Sequence, residues 1–282
     1  MKKELIKLQE TIYQQELIEE EYFVEDSAKL YFFPIGNFFD LYFYGNGYDD
    51  FPHTRVEDFE ENSNIPFCLF LEFICKQEYA NRIVSLTFNG ADEGANGTKN
   101  WDFSRIINSD VLFPNLKQLS VQLSDLGDHN FNIIGQDYDE DGMIAKLLSK
   151  MPNLETLIVP SAPNKLFFDI ENHPLRYLKV QVGYDNQSFI KNLAKSDNFR
   201  HLSSLDFTDF MDTNNAATDD FVPFEDFKAL FISKAFSTVK HFVLRNSILT
   251  KEQLLELQRI NKNVQFLYVD AKGGQYVSNM EK

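Results

Sequence analysis

A chain of 282 residues is longer than one hydrophobic core usually serves, so two domains or one elongated structure is expected. A net charge of -16 argues against nucleic acid or anionic lipid as a partner and fits a basic partner, or simple solubility, better; a mean hydropathy of -0.33 is that of a soluble protein. With 43% hydrophobic residues, 28 Phe and 12 Tyr, material for a core is ample.

The opening MKKELIKLQETIYQQELIEEEYF predicts an acidic helix over 2–22, with Leu5, Leu8, Ile12 and Leu17 on one stripe. No apolar stretch of signal-peptide length follows the early lysines, and no run approaches the roughly 18 apolar residues of a membrane span. A cytoplasmic protein without membrane contact is therefore expected. LYFFPIG and DLYFYGNG, within 30–47, read as aromatic strands of a hairpin, and DDFPHTRVEDFEENSN (49–64) as an acidic loop. PFCLFLEFICKQ is a very apolar helix. Its Cys68 and Cys75 fall two turns apart, roughly 10 Å by helical rise and too far to bridge, and two buried free thiols suit a reducing compartment.

From residue 81 onward one apolar pattern returns. FPNLKQLSV (113–121), MPNLETLIV (151–159) and HPLRYLKV (173–180) are clear copies; NRIVSLTF (81–88), RHLSSLDF (200–207), STVKHFVL (237–244) and KNVQFLYV (262–269) are weaker ones. Their leading residues are Ile83, Leu116, Leu154, Leu175, Leu202, Val239 and Val264, with further apolar residues at the fourth and sixth positions, the opening of the leucine-rich-repeat consensus. The fourth and sixth positions share one face of a short strand, and the first turns inward just before it. Stacked in parallel, with a return segment closing each coil, such strands build a continuous core. Returns with helical spacing are MIAKLLSK (143–150), QSFIKNLAK (187–195), PFEDFKALFISK (223–234) and KEQLLELQRI (251–260), the last opened by a Thr250/Gln253 capping box. PSAPNKLFFDIENHP (160–174) leaves no room for a helix and predicts an extended or second-strand crossover, and Trp101 is expected to pack a return segment. The asparagine that closes each turn of a regular repeat is missing. Eight positions after the leading residues stand Ala91, Ser124, Ala162, Gly183, Phe210, Ser247 and Lys272, so those turns need other partners and irregular curvature follows.

The run PNLETLIV…LRYLKVQVG, a following helix, and KHFVLRNSILTKEQ with its "LRNS" strand at Leu244–Ser247 resembles a group of bacterial cytoplasmic proteins with degenerate leucine-rich repeats. The resemblance covers roughly residues 80–270 and implies an architecture, without an activity to carry over. The expected fold is α/β: a leucine-rich-repeat-like solenoid over 81–282, with parallel strands on a concave face and helices and irregular returns on the convex face. Residues 1–80 are expected to form an N-terminal α+β cap.

No phosphate-binding loop, nucleophile elbow, zincin motif or dinucleotide fingerprint occurs, and the five histidines are scattered, His173 and His201 reading as turn residues. No enzyme activity, cofactor or metal site is expected. DYDEDGMIAKLL (137–148) imitates a calcium loop through Asp137, Asp139, Asp141 and Gly142, but its twelfth position is Leu148 where a bidentate Glu is needed. The carboxylates at 139–141 are expected instead to cap the helix that follows.

If the strands line a concave face, the residues between the inward ones face a partner. The candidates are Gln118, Ser120 and Gln122; Tyr177, Lys179 and Gln181; Asp206; Arg245; and Phe266 and Tyr268, the aromatic ones being types favoured at protein interfaces. Strand-to-helix connections are rich in carboxylates, among them Asp92, Asp125, Asp137, Asp139, Asp209, Asp219 and Asp220, whereas helix-to-strand connections carry Lys150, Lys195, Arg200, Lys234 and Lys262. An acidic rim of Asp137, Asp139, Asp219 and Asp220 would steer a basic protein. These features point to a non-enzymatic protein-binding scaffold, such as a bacterial adaptor or a toxin's immunity partner. The alternative is a small-molecule or carbohydrate-acting enzyme with its site in the aromatic N-terminal part.

Overall fold

The computed structural model describes residues 1–18, 28–47, 65–91, 97–125, 130–135, 140–209 and 220–269. The predicted acidic loop 49–64 and the carboxylates Asp92, Asp137, Asp139 and Asp219 lie outside the described residues. The chain is a mixed α/β fold built on a mostly parallel sheet, and the sheet is not a closed barrel. Among the described residues no helix is long and apolar enough to cross a membrane.

The N-terminal part follows its hydrophobic pattern. Helix α1 (Lys2–Ile18) buries Leu5, Leu8 and Ile12, one stripe at helical spacing. Strands β1 (Lys29–Ile35) and β2 (Phe38–Tyr44) form an antiparallel hairpin turning at Gly36, whose φ is +61°. Helix α2 (Ile65–Ile74) is apolar nearly all round and is largely buried; Glu72 is exposed and pairs with Arg105 at 2.9 Å. Cys68 is buried and Cys75 is half-buried, and both are free thiols.

The recurring apolar frame becomes parallel strands in chain order. After the short helix α3 (Gln77–Ala80) come β3 (Ile83–Asn89), β4 (Gly97–Trp101), α4 (Ser104–Ile107), β5 (Gln118–Val121), β6 (Asn130–Ile134) and α5 (Met143–Ser149). Then follow β7 (Thr156–Val159), β8 (Tyr177–Gln181), α6 (Phe189–Lys195), β9 (Ser204–Thr208), α7 (Phe224–Ile232), β10 (His241–Arg245), α8 (Lys251–Ile260) and β11 (Gln265–Val269). Nine strands form one sheet in the order β1-β2-β3-β5-β7-β8-β9-β10-β11, parallel from β2 onward. All seven leading residues, Ile83 to Val264, are buried in one core, which also takes the inward residues of α1, α2, β1 and β2. Phe43, Phe67, Phe88, Trp101 and Phe103 interlock at its N-terminal end with ring centroids 4.9–6.4 Å apart. Each fully buried ring contributes on the order of 2–3 kcal/mol. At the other end Phe189, Phe207, Phe227, Phe242 and Phe266, from α6, β9, α7, β10 and β11, form an unbroken contact line.

Three expectations are corrected. The crossover 160–174 contains a 3-10 turn, Lys165–Asp169, started by Asn164, whose side chain accepts from the Leu166 amide. It buries Phe167 and Phe168, which a short tight helix achieves in fewer residues than an α-helix would need. The return segment that Trp101 packs, expected to be helical or irregular, is a strand: β4 and β6 pair in parallel as a second, two-stranded sheet inside two of the crossovers. A Cβ at Gly47 would come within 2.4 Å of the Trp101 ring, so only glycine lets that turn lie against the indole.

The third correction is one of register. Gln265 pairs with His241, Phe266 with Phe242 and Tyr268 with Leu244, one residue earlier than the frame counted from Val264 predicts. A one-residue slip turns every side chain over. Phe266 therefore stacks on Phe242 at 5.5 Å and meets Phe231 at 5.4 Å, and Leu267 is left 54% exposed.

Candidate functional site

Helices with buried residues contribute them to the core on one side of the nine-stranded sheet, leaving its other face to solvent among the described residues. The register fixes what that outer face presents. One row runs Tyr31, Tyr42, Thr87, Ser120, Ile158, Lys179, Asp206, Val243, Leu267 across β1 to β11. A parallel row holds Phe33, Asp40, Ser85, Gln118, Thr156, Tyr177, Ser204 and His241. The face is thus graded: aromatic at the hairpin, where Tyr31 and Phe33 are exposed, uncharged in the middle, and charged over β8–β10.

The charged part is organised by Asp206, 6% exposed. Arg245 reaches across from β10 and donates twice to it, Nε to Oδ1 at 2.8 Å and Nη2 to Oδ2 at 2.9 Å. Lys179 approaches from the opposite neighbour, its Nζ 4.0 Å from Oδ2. The bidentate carboxylate holds the Arg245 guanidinium above its usual range, against the opposing effect of burial. Partial burial pushes the Tyr177 phenol up, the Asp206 charge adding to the effect. Tyr177, Lys179, Asp206 and Arg245, all predicted site residues, are therefore brought together. Gln118 is exposed and Ser120 half-buried in the middle of the face.

Four other candidates are used by the fold itself. Gln181 is buried and clamps the turn after β5: the Ser124 amide donates to its Oε1 and its Nε2 donates to the Ser124 carbonyl, both at 2.8 Å. Gln122 donates to the Gly90 carbonyl at 2.9 Å. Phe266 faces the core, and Tyr268, on the core side too, donates its hydroxyl to the Ser247 carbonyl at 2.9 Å. Ser124 and Ser247 are two of the turn positions that lack the consensus asparagine. A third, Ala91, has its carbonyl bonded by the buried Lys99 ammonium at 3.1 Å. Individual side chains, some local like Lys99 and some from a remote coil like Gln181, thus satisfy the turn backbone that a regular repeat would satisfy with one asparagine ladder. The clamp continues inward, since the Ser124 hydroxyl accepts from the Asn132 amide at 2.7 Å and Asn132 accepts from the Trp101 indole at 3.3 Å.

The acidic motif resolves into a cap of a different kind. Glu140, 4% exposed, accepts from the amides of Gly142 at 2.9 Å and Ile144 at 2.6 Å, and from Asn164 at 3.3 Å. Asp141 and Gly142 adopt left-handed φ of 40° and 71°, which swings the chain back so that the Glu140 carboxylate meets the first turn of α5. Capping is the expectation for 139–141, and among the described residues Glu140 performs it. Among the described residues no group of three or more His, Cys, Asp or Glu is arranged to hold a metal ion.

The two edges of the sheet differ in charge. Asp125, Asp141, Asp185 and Asp220 are exposed where strands run into helices; where helices return, the exposed Lys195, Arg200, Lys234 and Lys262 stand among the exposed Asp110, Asp169 and Asp197, so that edge is mixed. Asp209, expected on the acidic edge, is instead fully buried. Its Oδ1 accepts from the Val222 amide at 3.2 Å, and among the described residues Oδ2 has the Ser247 hydroxyl near it without a hydrogen bond of good geometry. Burial pushes its carboxyl up to about 7, opposed by the Val222 amide and the Ser247 hydroxyl. Sequence gave no sign of this, because Asp209 looks like any loop aspartate. The exposed Tyr31 and Phe33 were also missed as face residues, although period-two alternation in LYFFPIG carries the signal. The chain matches no protein-family model, and neither the curated proteins nor the solved structures give a significant match to it.

Proposed function

We propose that the chain is a leucine-rich-repeat-like solenoid, its parallel strands lining a concave face with helices and irregular returns behind, and that it is a non-enzymatic scaffold binding a protein on that face. The supporting observation is the uncovered outer face itself: a continuous surface across nine strands, aromatic at one end and carrying the ordered Tyr177, Lys179, Asp206 and Arg245 group towards the other. Exposed aromatics beside ordered arginine are the side chains that dominate protein interfaces. The acidic edge steers a partner with a basic surface, raising its association rate at low salt. In a bacterial cytoplasm such a scaffold acts as an adaptor or as the immunity partner of a toxin.

The test is capture of partners from the native host by the purified chain and two sets of variants. Ser120→Arg and Thr156→Arg block the middle of the outer face, whereas Glu252→Arg and Lys191→Glu alter the helical side. A partner lost with the first pair and kept with the second supports the proposal; one indifferent to the first pair, or lost with the second, refutes it.

A further inference from the structure

We infer that the outer face seats a carboxylate of the bound protein between Lys179 and Arg245, which rests on the protein-binding reading and gives that partner a chemistry. In a chain of net charge -16, this patch is locally positive. From β5 to β10, the outward side chains and the residues just before each strand include the cations Lys117, Arg176, Lys179, Lys240 and Arg245. Only Glu155 and Asp206 oppose them. Glu155 is taken up by Lys117 at 2.7 Å and Arg176 at 3.8 Å, at the edge where the strands start.

Asp206 positions the two central cations without saturating them. Both its oxygens are engaged by Arg245, and Lys179 stays at 4.0 Å, beyond hydrogen-bond reach. Among the described residues the Lys179 ammonium makes no hydrogen bond, and Nη1 of Arg245 makes none either. Their side chains are 26% and 31% exposed, so both donors are partly stripped of water yet open on the outer side. A half-desolvated cation pair pinned by a buried carboxylate is pre-organised for one more anion. Tyr177, one position along the same strand face from Lys179, offers a neutral hydroxyl beside it. The partner is therefore expected to carry an acidic residue within its basic surface, the acid meeting Lys179 and Arg245 while the basic surround faces the acidic edge.

The probe is a phage-displayed library of random peptides about twelve residues long, enough to cross the sheet at about 3.3 Å per residue. It is panned against the full chain, and binders sensitive to Thr156→Arg are remade as synthetic peptides. They are expected to contain Asp or Glu, and to lose about tenfold or more in affinity on Lys179→Gln or on converting that acid to its amide. The two changes together should cost no more than either alone, and Lys179→Arg should retain binding. Circular dichroism confirms that each variant folds. Face-directed binders without a carboxylate, or with one but indifferent to Lys179→Gln, overturn the inference and leave the protein-binding reading standing. A library that yields no Thr156→Arg-sensitive binder overturns both.

Discussion

Asp209→Asn should stabilise the protein, and increasingly so as pH rises. The carboxyl is fully buried, one oxygen holds the Val222 amide, and burial lifts its titration from the ordinary 3.8 to about 7. Below about pH 4 it is protonated in both folded and unfolded chains and contributes nothing. Between 4 and 7 the unfolded chain releases the proton and the folded one keeps it, so stability falls with pH; above 7 the loss is complete. At about 1.4 kcal/mol per decade the total is about 4 kcal/mol, an upper bound if water reaches the site when it ionises. Asparagine keeps a carbonyl for Val222, offers an N–H towards Ser247, and cannot ionise. Urea unfolding of both proteins at pH 5 and pH 8 isolates the residue, because the other carboxylates cancel in the difference. The advantage of the variant should grow by about 3 kcal/mol between those pH values. A difference independent of pH, or a variant less stable at pH 8, would show that Asp209 is ionised at no special cost and that its environment is wetter than its burial implies.

The register of β11 predicts that Phe266→Ala costs about 2–4 kcal/mol and Leu267→Ala under about 1, the reverse of what the repeat frame expects; chemical denaturation of the two variants decides. Glu140→Ala strands two amides at the start of α5 and should cost about 2 kcal/mol or more, whereas Asp141→Ala should cost well under half of that. Thr250→Ala, which breaks the capping box of α8, should lower stability by about 1 kcal/mol. His173 is buried with its Nε2 bonded to the Met151 carbonyl, and burial pulls its titration below the usual 6.5. The unfolded chain therefore takes up a proton first as pH falls, so His173 subtracts stability on the acid side of 6.5. An NMR titration midpoint at or above 6.5 would refute this.

The sequence by itself determined the repeat strands of the large sheet and their order, though not β4 and β6, which lie outside the repeated frame. Ile83, Leu116, Leu154, Leu175, Leu202 and Val239 each head the same apolar spacing, and spacing is a local property: period two within the strand decides which residues turn inward wherever the chain goes. Helices α5 to α8 were legible for the same reason, and the outward positions of Tyr177, Lys179, Asp206 and Arg245 followed from counting. Only the tertiary structure decided which polar atoms meet. Gln181 reaches the Ser124 backbone from 57 residues away, Tyr268 reaches Ser247, and Asp209 is walled in by Val222 and Ser247, contacts that no spacing rule encodes. Phe266 shows the limit most plainly. Counted from Val264 it points outward, yet pairing it with Phe242 buries a ring against two others, while the alternative register would bury Leu267 and leave two aromatics in water. Among the described residues the last strand has a neighbour on one side only, and its register follows packing against β10 and α7.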